Sequence, residues 1–380
     1  MLVMKSNIRR IVPIVMMVLG GVMILLGLWS CEKIYDYEGD CAPHWQVKFR
    51  YAYNMKFADA FPGPMGVGSV HLYVYDAVTG RKVLDKEETA GMEGFSEDYV
   101  MPIEELPVGR YNFVAWCGLA DNGTFTYPQA QDPLVYTAPA TGLTDAALSG
   151  PAEDCRLAPL YYGRVENVDI YDEQGTHTVE VNLIKDTNEF TILLQHRKRA
   201  INPEDFEISI VDRNTSLLWN NGLAPDNGLY AYRPWLTERG TAVDAIVTLG
   251  EELVDNNILI WHLSTSRLIW RQDGESEPYL RIVDKRGGER KTIFEFPVLK
   301  YLVMEGDYRY LRDAHNKVYE WKDEQEYLDR EDSWKMHFIM DENLSAQGGW
   351  YSFELHVLDW HKIFEEIDLG EERDKRAGKI

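Results

Sequence analysis

The chain has 380 residues, with 39 Lys and Arg against 62 Asp and Glu, a formal net charge of −23. Hydrophobic residues make up 45% of it, 22 Tyr and 11 Trp among them, so apolar area suffices to offset ordering entropy and disorder is excluded for most of the length. At ~100 to 200 residues per domain the length suggests two folded domains. The acidic surface excludes a nucleic-acid partner, whose affinity comes from clustered Lys and Arg.

Residues 1–30 hold Lys5, Arg9 and Arg10 and no acid, and 11–30 is uncharged and almost wholly apolar. A short basic region before an apolar run is the pattern of an export signal, although twenty such residues could also span a bilayer as an uncleaved anchor. Leu28-Trp29-Ser30-Cys31 decides between them, because it resembles the lipobox of bacterial lipoproteins: an aliphatic residue at −3, a small one at −1, and a Cys at +1. The resemblance implies that Leu28 and Ser30 are read by the signal peptidase. It also implies that the Cys31 thiol takes a diacylglyceryl group and that Cys31 becomes the first mature residue. Several acyl chains bind a membrane firmly where one binds marginally. Without residues 1–30 the basic count falls from 39 to 36, and the net charge is 36 − 62 = −26.

Three other Cys remain: Cys41, Cys117 and Cys155. An odd number in an oxidising compartment permits one disulfide and one leftover thiol. A Cys41 to Cys155 bridge is open to the chain, with connectivity not set by sequence, while Cys117 in Phe113-Val114-Ala115-Trp116-Cys117 reads as a buried small apolar residue. No CxxC or Cys/His spacing supports a zinc site. Asp36, Glu38 and Asp40 mimic the start of a calcium loop, but Cys41 stands where Gly is needed and Val47 where Glu is needed. Residues 31–43 therefore read as an acidic, solvated tether.

From Trp45 the pattern has period two: Trp45, Val47, Phe49, Tyr51 and Tyr53 alternate with more polar residues, as in a half-buried strand. Val70, Leu72 and Val74 make a second strand, closed by the turn Asp76-Ala77-Val78-Thr79-Gly80. The turn Leu106-Pro107-Val108-Gly109 precedes a third aromatic-rich run. Residues 118–159, rich in Gly, Ala, Thr, Asp and Pro, read as a long excursion with little strand. Alternation resumes at 178–184 and is interrupted by Lys185-Asp186-Thr187-Asn188. It then returns at Phe190, Ile192 and Leu194, at Phe206, Ile208 and Ile210, and at 243–249, 258–263, 279–283, 292–297, 334–340 and 350–357. Long helical periodicity is scarce, and 323–330 and 360–369 are the best short helix or turn candidates. The expected fold is all-β, two consecutive β-sandwiches spanning 44–186 and 187–380, behind the signal peptide 1–30 and the tether 31–43.

A family resemblance covers nearly the whole mature chain. The lipid Cys, Asp40-Cys41, the strand Phe49-Arg50-Tyr51-Ala52-Tyr53-Asn54, Ala58-Asp59-Ala60-Phe61 and Val70-His71-Leu72-Tyr73-Val74-Tyr75-Asp76 resemble the opening of the fimbrial anchor-subunit lipoproteins of Bacteroides-type (type V) pili. The same order continues through Leu106-Pro107-Val108-Gly109-Arg110-Tyr111, Ala115-Trp116-Cys117-Gly118, Leu160-Tyr161-Tyr162-Gly163 and Leu183-Ile184-Lys185-Asp186-Thr187-Asn188. Tyr230-Ala231-Tyr232-Arg233-Pro234, Leu263-Ser264-Thr265-Ser266-Arg267-Leu268 and Tyr327-Leu328-Asp329-Arg330 complete it. Cys117 departs from the small non-thiol residue usual at its place. The resemblance implies transthyretin-like sandwiches, surface-exposed attachment to the outer membrane through lipid at Cys31, fimbrial shaft subunits as partners, and a base position that holds the fibre and limits its length.

Subunits of such fibres join by strand donation, in which backbone hydrogen bonds and alternating side chains fill an open groove. No Arg occurs in 31–44, so a maturation protease cutting after Arg meets no site before Arg50, within an expected strand. Residues 370–380 are densely charged and make a poor donor strand.

For an enzyme there is no Gly-x-Ser-x-Gly elbow, no His-Glu-x-x-His and no phosphate-binding Gly loop. His356 and His361, five apart on a strand, fall on opposite faces. Glu104-Glu105, Glu251-Glu252 and Glu365-Glu366 point apart as strand neighbours and read as solvated acids. No cofactor is expected. The competing reading is a glycan-binding surface lipoprotein or tip adhesin, for which Trp219, Trp235, Trp261, Trp270, Trp321, Trp334, Trp350 and Trp360 could supply platforms, against their use in sandwich cores.

Overall fold

Period-two patterning carries into nearly every element of the computed structural model. It describes residues 43–357 apart from 52–60, 62–65, 97, 122, 128–138, 226, 242–253, 273–274, 306–309, 313–317 and 344–349. The expected elements at 243–249 and 360–369 lie outside the described residues.

The N-terminal half supplies β1 (Pro43–Arg50), β2 (Ser69–Asp76), β3 (Lys82–Thr89), β4 (Val100–Pro102), β5 (Gly109–Cys117), β6 (Pro139–Gly142), β7 (Tyr161–Ile170) and β8 (Gly175–Lys185). Seven of them form one sheet in the order β3-β2-β5-β7-β8-β1-β4. Its inner face is the alternating set read from sequence: Trp45, Val47 and Phe49, then Val70, Leu72 and Val74, then Phe113, Ala115 and Cys117, then Val179, Val181 and Leu183. Gly163 sits where β7 crowds β8, and a Cβ there would lie 2.5 Å from Val181 Cγ1 and 2.8 Å from Leu183 Cδ2. The edge strand β3 carries Lys82, Asp85, Lys86, Glu87 and Glu88, charges that discourage edge-to-edge pairing.

Over β2, β5 and the start of β7 the outer face of this sheet departs from the half-buried expectation. Tyr73, Tyr75, Val114, Trp116 and Tyr162 alternate with the inner set, yet they are buried too. The 118–159 excursion covers them with Leu119, Phe125, Leu143 and Leu157 and with α1 (Asp145–Ser149). Its first residue, Gly118, has φ +101°, and a Cβ would run into the Pro159 carbonyl, so the chain can turn out and return only through glycine.

The C-terminal half begins at once with β9 (Thr187–His196), then β10 (Phe206–Asp212), β11 (Ser216–Leu218), β12 (Tyr230–Tyr232), β13 (Leu236–Gly240), β14 (Ile258–Ser266), β15 (Tyr279–Asp284), β16 (Lys291–Pro297), α2 (Val298–Glu305), β17 (Tyr310–Arg312), β18 (Val318–Glu320), α3 (Glu324–Arg330), β19 (Ser333–Asn343) and β20 (Trp350–Val357). Two sheets, β12-β10-β15-β16 and β13-β14-β9-β19-β20, face each other. Phe294 of β16 packs on Phe338 of β19 and Phe353 of β20, with ring centroids 5.1 and 4.5 Å apart. Within the second sheet β19 runs parallel to β9, Trp334 opposite Phe190. The fold is therefore all-β, built of sandwich layers. One small ladder crosses from half to half, since β6 pairs with β11.

Helix α3 starts where its sequence says: the Asp323 side chain accepts the Glu326 N–H, and the Glu326 carboxylate reaches back to the Lys322 N–H. Helix α2 is legible only in the structure. Val298, Leu299 and Leu302 bury one face, but the largely apolar stretch after Pro297 has no polar cap and reads equally well as a buried strand.

Candidate functional site

Two places join sequence to function: the strand through which the chain leaves for its N-terminus, and the junction between the two halves. Cys31, Leu28, Ser30 and Cys41 lie outside the described residues.

Strand β1 is locked on both sides, between β8 and β4. On the β4 side Gln46, Val47 and Lys48 pair with Pro102, Met101 and Val100. On the β8 side the Gln46 amide donates to Thr178 Oγ1 at 3.0 Å, and Arg50 meets Glu180 at 3.2 Å. Trp45 is buried, its indole N–H donates to the Tyr171 carbonyl at 3.2 Å, and its ring meets the Tyr171 ring edge-on. Pulling on the chain upstream of β1 therefore loads a doubly paired strand with three large apolar side chains in the core.

At the junction, segments scattered through the sequence converge. Asp186 falls between β8 and β9 and is fully buried. The Asn221 amide donates to its Oδ1 at 2.8 Å, and Arg267 Nε stands 3.8 Å from the same oxygen. Arg267, directly after β14, makes a bidentate pair with Asp329 of α3 at 2.9 and 2.7 Å and also donates to the Asn221 carbonyl. Lys185 pairs with Asp332 at 2.5 Å. Asn214 donates to the Ser266 and Arg267 carbonyls and accepts from the Tyr232 hydroxyl at 2.7 Å. Tyr162, from the outer face of the N-terminal sheet, donates its hydroxyl to the Trp219 carbonyl at 2.9 Å. Trp219 is fully buried and inserts edge-on against Tyr73 and Tyr75, with centroids 5.2 and 6.1 Å away. The loop behind it closes with Asn221 at φ 64°, a conformation Asn tolerates better than most residues.

One guanidinium faces two carboxylates here, so the cluster is short of positive charge. Burial first, and Asp329 after it, raise Asp186 to about 7 despite Arg267 and Asn221. The folded protein thus holds a proton on Asp186 that the unfolded chain releases near pH 3.8. The sign follows: stability from this residue grows as pH falls from 7 toward 4, and is lost as pH rises through 7. Asp186→Asn should remove that dependence. Relative to the parent it should gain on the order of 2–4 kcal/mol between pH 5 and pH 8, read from urea unfolding at both values. His196, which burial and then the Arg199 charge depress to about 4, titrates in the same window but is common to both proteins and cancels.

The sequence did not mark Asp186, Asn221, Arg267 and Asp329 as a set. Their signal was present as the short segments quoted for the family resemblance, since the 183–188, 263–268, 327–330 and 160–163 motifs each place a residue at this junction.

Cys117 is buried in β5, and burial raises its thiol well above the ordinary range, which keeps it inert. Cys155 is buried, and Arg233 Nη2 stands 3.3 Å from its Sγ. Trp219, Trp261, Trp321 and Trp334 are buried, and the half-buried Trp235 is stacked by Arg156 at 4.4 Å, so these rings serve packing. Among the described residues no His, Cys, Asp or Glu group of three or more is placed to hold a metal, and no helix is long and apolar enough to cross a membrane.

The sequence profile of the fimbrillin-A associated anchor proteins Mfa1 and Mfa2 matches residues 37–366. The chain belongs to that family. Among solved structures, this anchor-family chain is similar to a candidate adhesin from Bacteroides thetaiotaomicron VPI-5482, with a TM-score of 0.62 and 29% identity over 83% of this chain and 96% of that one. It is also similar to a candidate polysaccharide-binding protein of the same organism, with a TM-score of 0.58 and 26% identity over 83% and 98%. The fimbrial anchor protein Mfa2 from Porphyromonas gingivalis shares its fold, with a TM-score of 0.57 and 13% identity over 84% and 98%. No curated protein matches. The chain is thus a member of a fimbrial, cell-surface family.

Proposed function

We propose that this protein is the lipid-anchored base subunit of a fimbria, which attaches the shaft to the outer membrane through Cys31 and ends its growth there. The observation that carries the reading is the state of β1. This strand lies twelve residues after Cys31, is paired on both edges, and buries Trp45, Val47 and Phe49. A lipid on Cys31 would thus be mechanically continuous with the sandwich core. Residues 31–44 contain no Arg, and Arg50 is the last residue of the paired strand, so a protease cutting after Arg finds no open loop site between lipid and body. A subunit that keeps its tether cannot be passed along a growing fibre. The two sandwiches and the tether divide as 31–43, 44–186 and 187–380 in this reading, and a Cys41–Cys155 disulfide remains a further proposal within it.

In cells, Cys31→Ser is expected to leave the leader uncut and to release fimbriae into the medium, read by fractionation and by electron microscopy of retained fibres. Deleting the gene should lengthen the fibres as well as detach them. Equal retention and equal length in the presence and absence of the gene would exclude a base role. Recovery of the lipidated protein at fibre tips would favour the adhesin instead.

A further inference from the structure

At the end of the N-terminal sandwich from which β1 leads toward Cys31, two turns and a strand end lie close together. The Trp45 carbonyl accepts the Ile103 N–H, which begins the 103–108 turn, and the Trp45 indole reaches Tyr171 just after β7. The Ala77 N–H donates to the Arg110 carbonyl, which sets the 76–81 turn beside the start of β5. Two tight turns and one strand end therefore meet at the mouth of the tether. Each projects an apolar side chain into solvent: Val78 is 88% exposed, Val108 67% and Tyr171 42%. The turns are rigid. The Asp76 carboxylate accepts from the Val78 and Thr79 N–H groups and the Thr79 hydroxyl, and the Tyr111 hydroxyl donates to the Pro107 carbonyl at 2.9 Å. Valine side chains held outward on hydrogen-bonded turns are placed to enter a lipid interface without rearrangement.

We propose that this end of the body rests on the bilayer, with Val78, Val108 and Tyr171 dipping into the interface. The inference depends on the reading of Cys31 as lipidated. Twelve residues separate Cys31 from Pro43, a reach of at most about 40 Å, so the tether keeps this end close to any membrane that holds the lipid. Glu104 and Glu105, both exposed, lie in the Val108 turn, which makes a zwitterionic surface rather than an anionic one the better fit. Contact at this end would fix the orientation of the body, leaving the opposite end for the fibre.

The test uses the full lipidated protein in a Cys41→Ser background, with a bimane label on Val78→Cys or Met92→Cys. The fully exposed Met92 lies past the far end of β3 and serves as the comparison. In phosphatidylethanolamine–phosphatidylcholine vesicles carrying nitroxide high on the acyl chains, the label at 78 is expected to be quenched and the label at 92 is not. Val108→Asp should reduce the quenching at 78. Equal, weak quenching at both sites in protein that floats with the vesicles would overturn the contact and leave lipid anchoring intact. Protein that does not float at all would overturn lipid anchoring, and the contact with it.

Discussion

Replacing Arg267 with alanine is expected to destabilise the protein by about 3–5 kcal/mol, because it leaves carboxylates buried without their cation. Asp329 loses both of its charge-assisted hydrogen bonds to Arg267, the Asn221 carbonyl loses a donor, and Asp186 loses the guanidinium 3.8 Å from its Oδ1. The loss should be smaller at pH 5 than at pH 8, since Asp186 can then take up a proton. Adding Asp186→Asn to Arg267→Ala should recover part of it, and the double-mutant cycle gives the coupling directly. Arg267→Lys should not rescue fully, because an ammonium cannot reproduce the bidentate fork. Urea unfolding of the parent, the two single variants, the double variant and Arg267→Lys at both pH values decides this, and a difference between parent and Arg267→Ala below about 1 kcal/mol would show that the cluster contributes little.

The second large effect belongs to Trp219. Its truncation to alanine is expected to cost about 3–5 kcal/mol through lost burial and the cavity left behind. That cavity would open against Tyr73 and Tyr75 on the outer face of the N-terminal sheet, where Trp219 is the C-terminal half's main insertion. Trp219→Phe should cost much less, since a ring still fills most of the volume. The Tyr162 bond to the residue 219 carbonyl is to backbone and survives both changes, so the experiment isolates packing from hydrogen bonding. Loss of near-ultraviolet dichroism together with a lowered melting temperature is the expected signature. An unchanged melting temperature would mean that the halves cohere through other contacts.

Both effects fall on the junction. The junction is what couples the two halves of the chain, through Tyr162, Trp219 and the Asp186–Arg267–Asp329 cluster. Its polar members also resist rearrangement, because a buried hydrogen-bonded charge cannot slide without leaving a partner unpaired.

Much of the fold was legible in the residues. Inward alternation fixed the core set of β1, β2, β5 and β8, and the short helical candidate 323–330 matches α3. Helix α2 was not legible, because a short apolar stretch without a cap has no period that separates helix from buried strand. Strand β3 was missed for a different reason: its edge position calls for charge, and Lys82 to Thr89 reads as a polar loop. For the junction, the sequence held the parts but not their meeting, since Asp186, Asn221, Arg267 and Asp329 are each unremarkable polar residues in a linear reading.

By itself, the sequence determined the all-strand class, the inert Cys117 and the anchor-family membership, because these rest on local alternation, on composition and on the order of short motifs. Only the tertiary structure decided that β1 is paired on both edges, that β19 lies parallel to β9, and that the outer face of the first sheet is covered over β2, β5 and the start of β7. Each of these depends on which distant segments pair or pack, and that choice is made by the summed burial of many contacts rather than by any residue's neighbours in the chain.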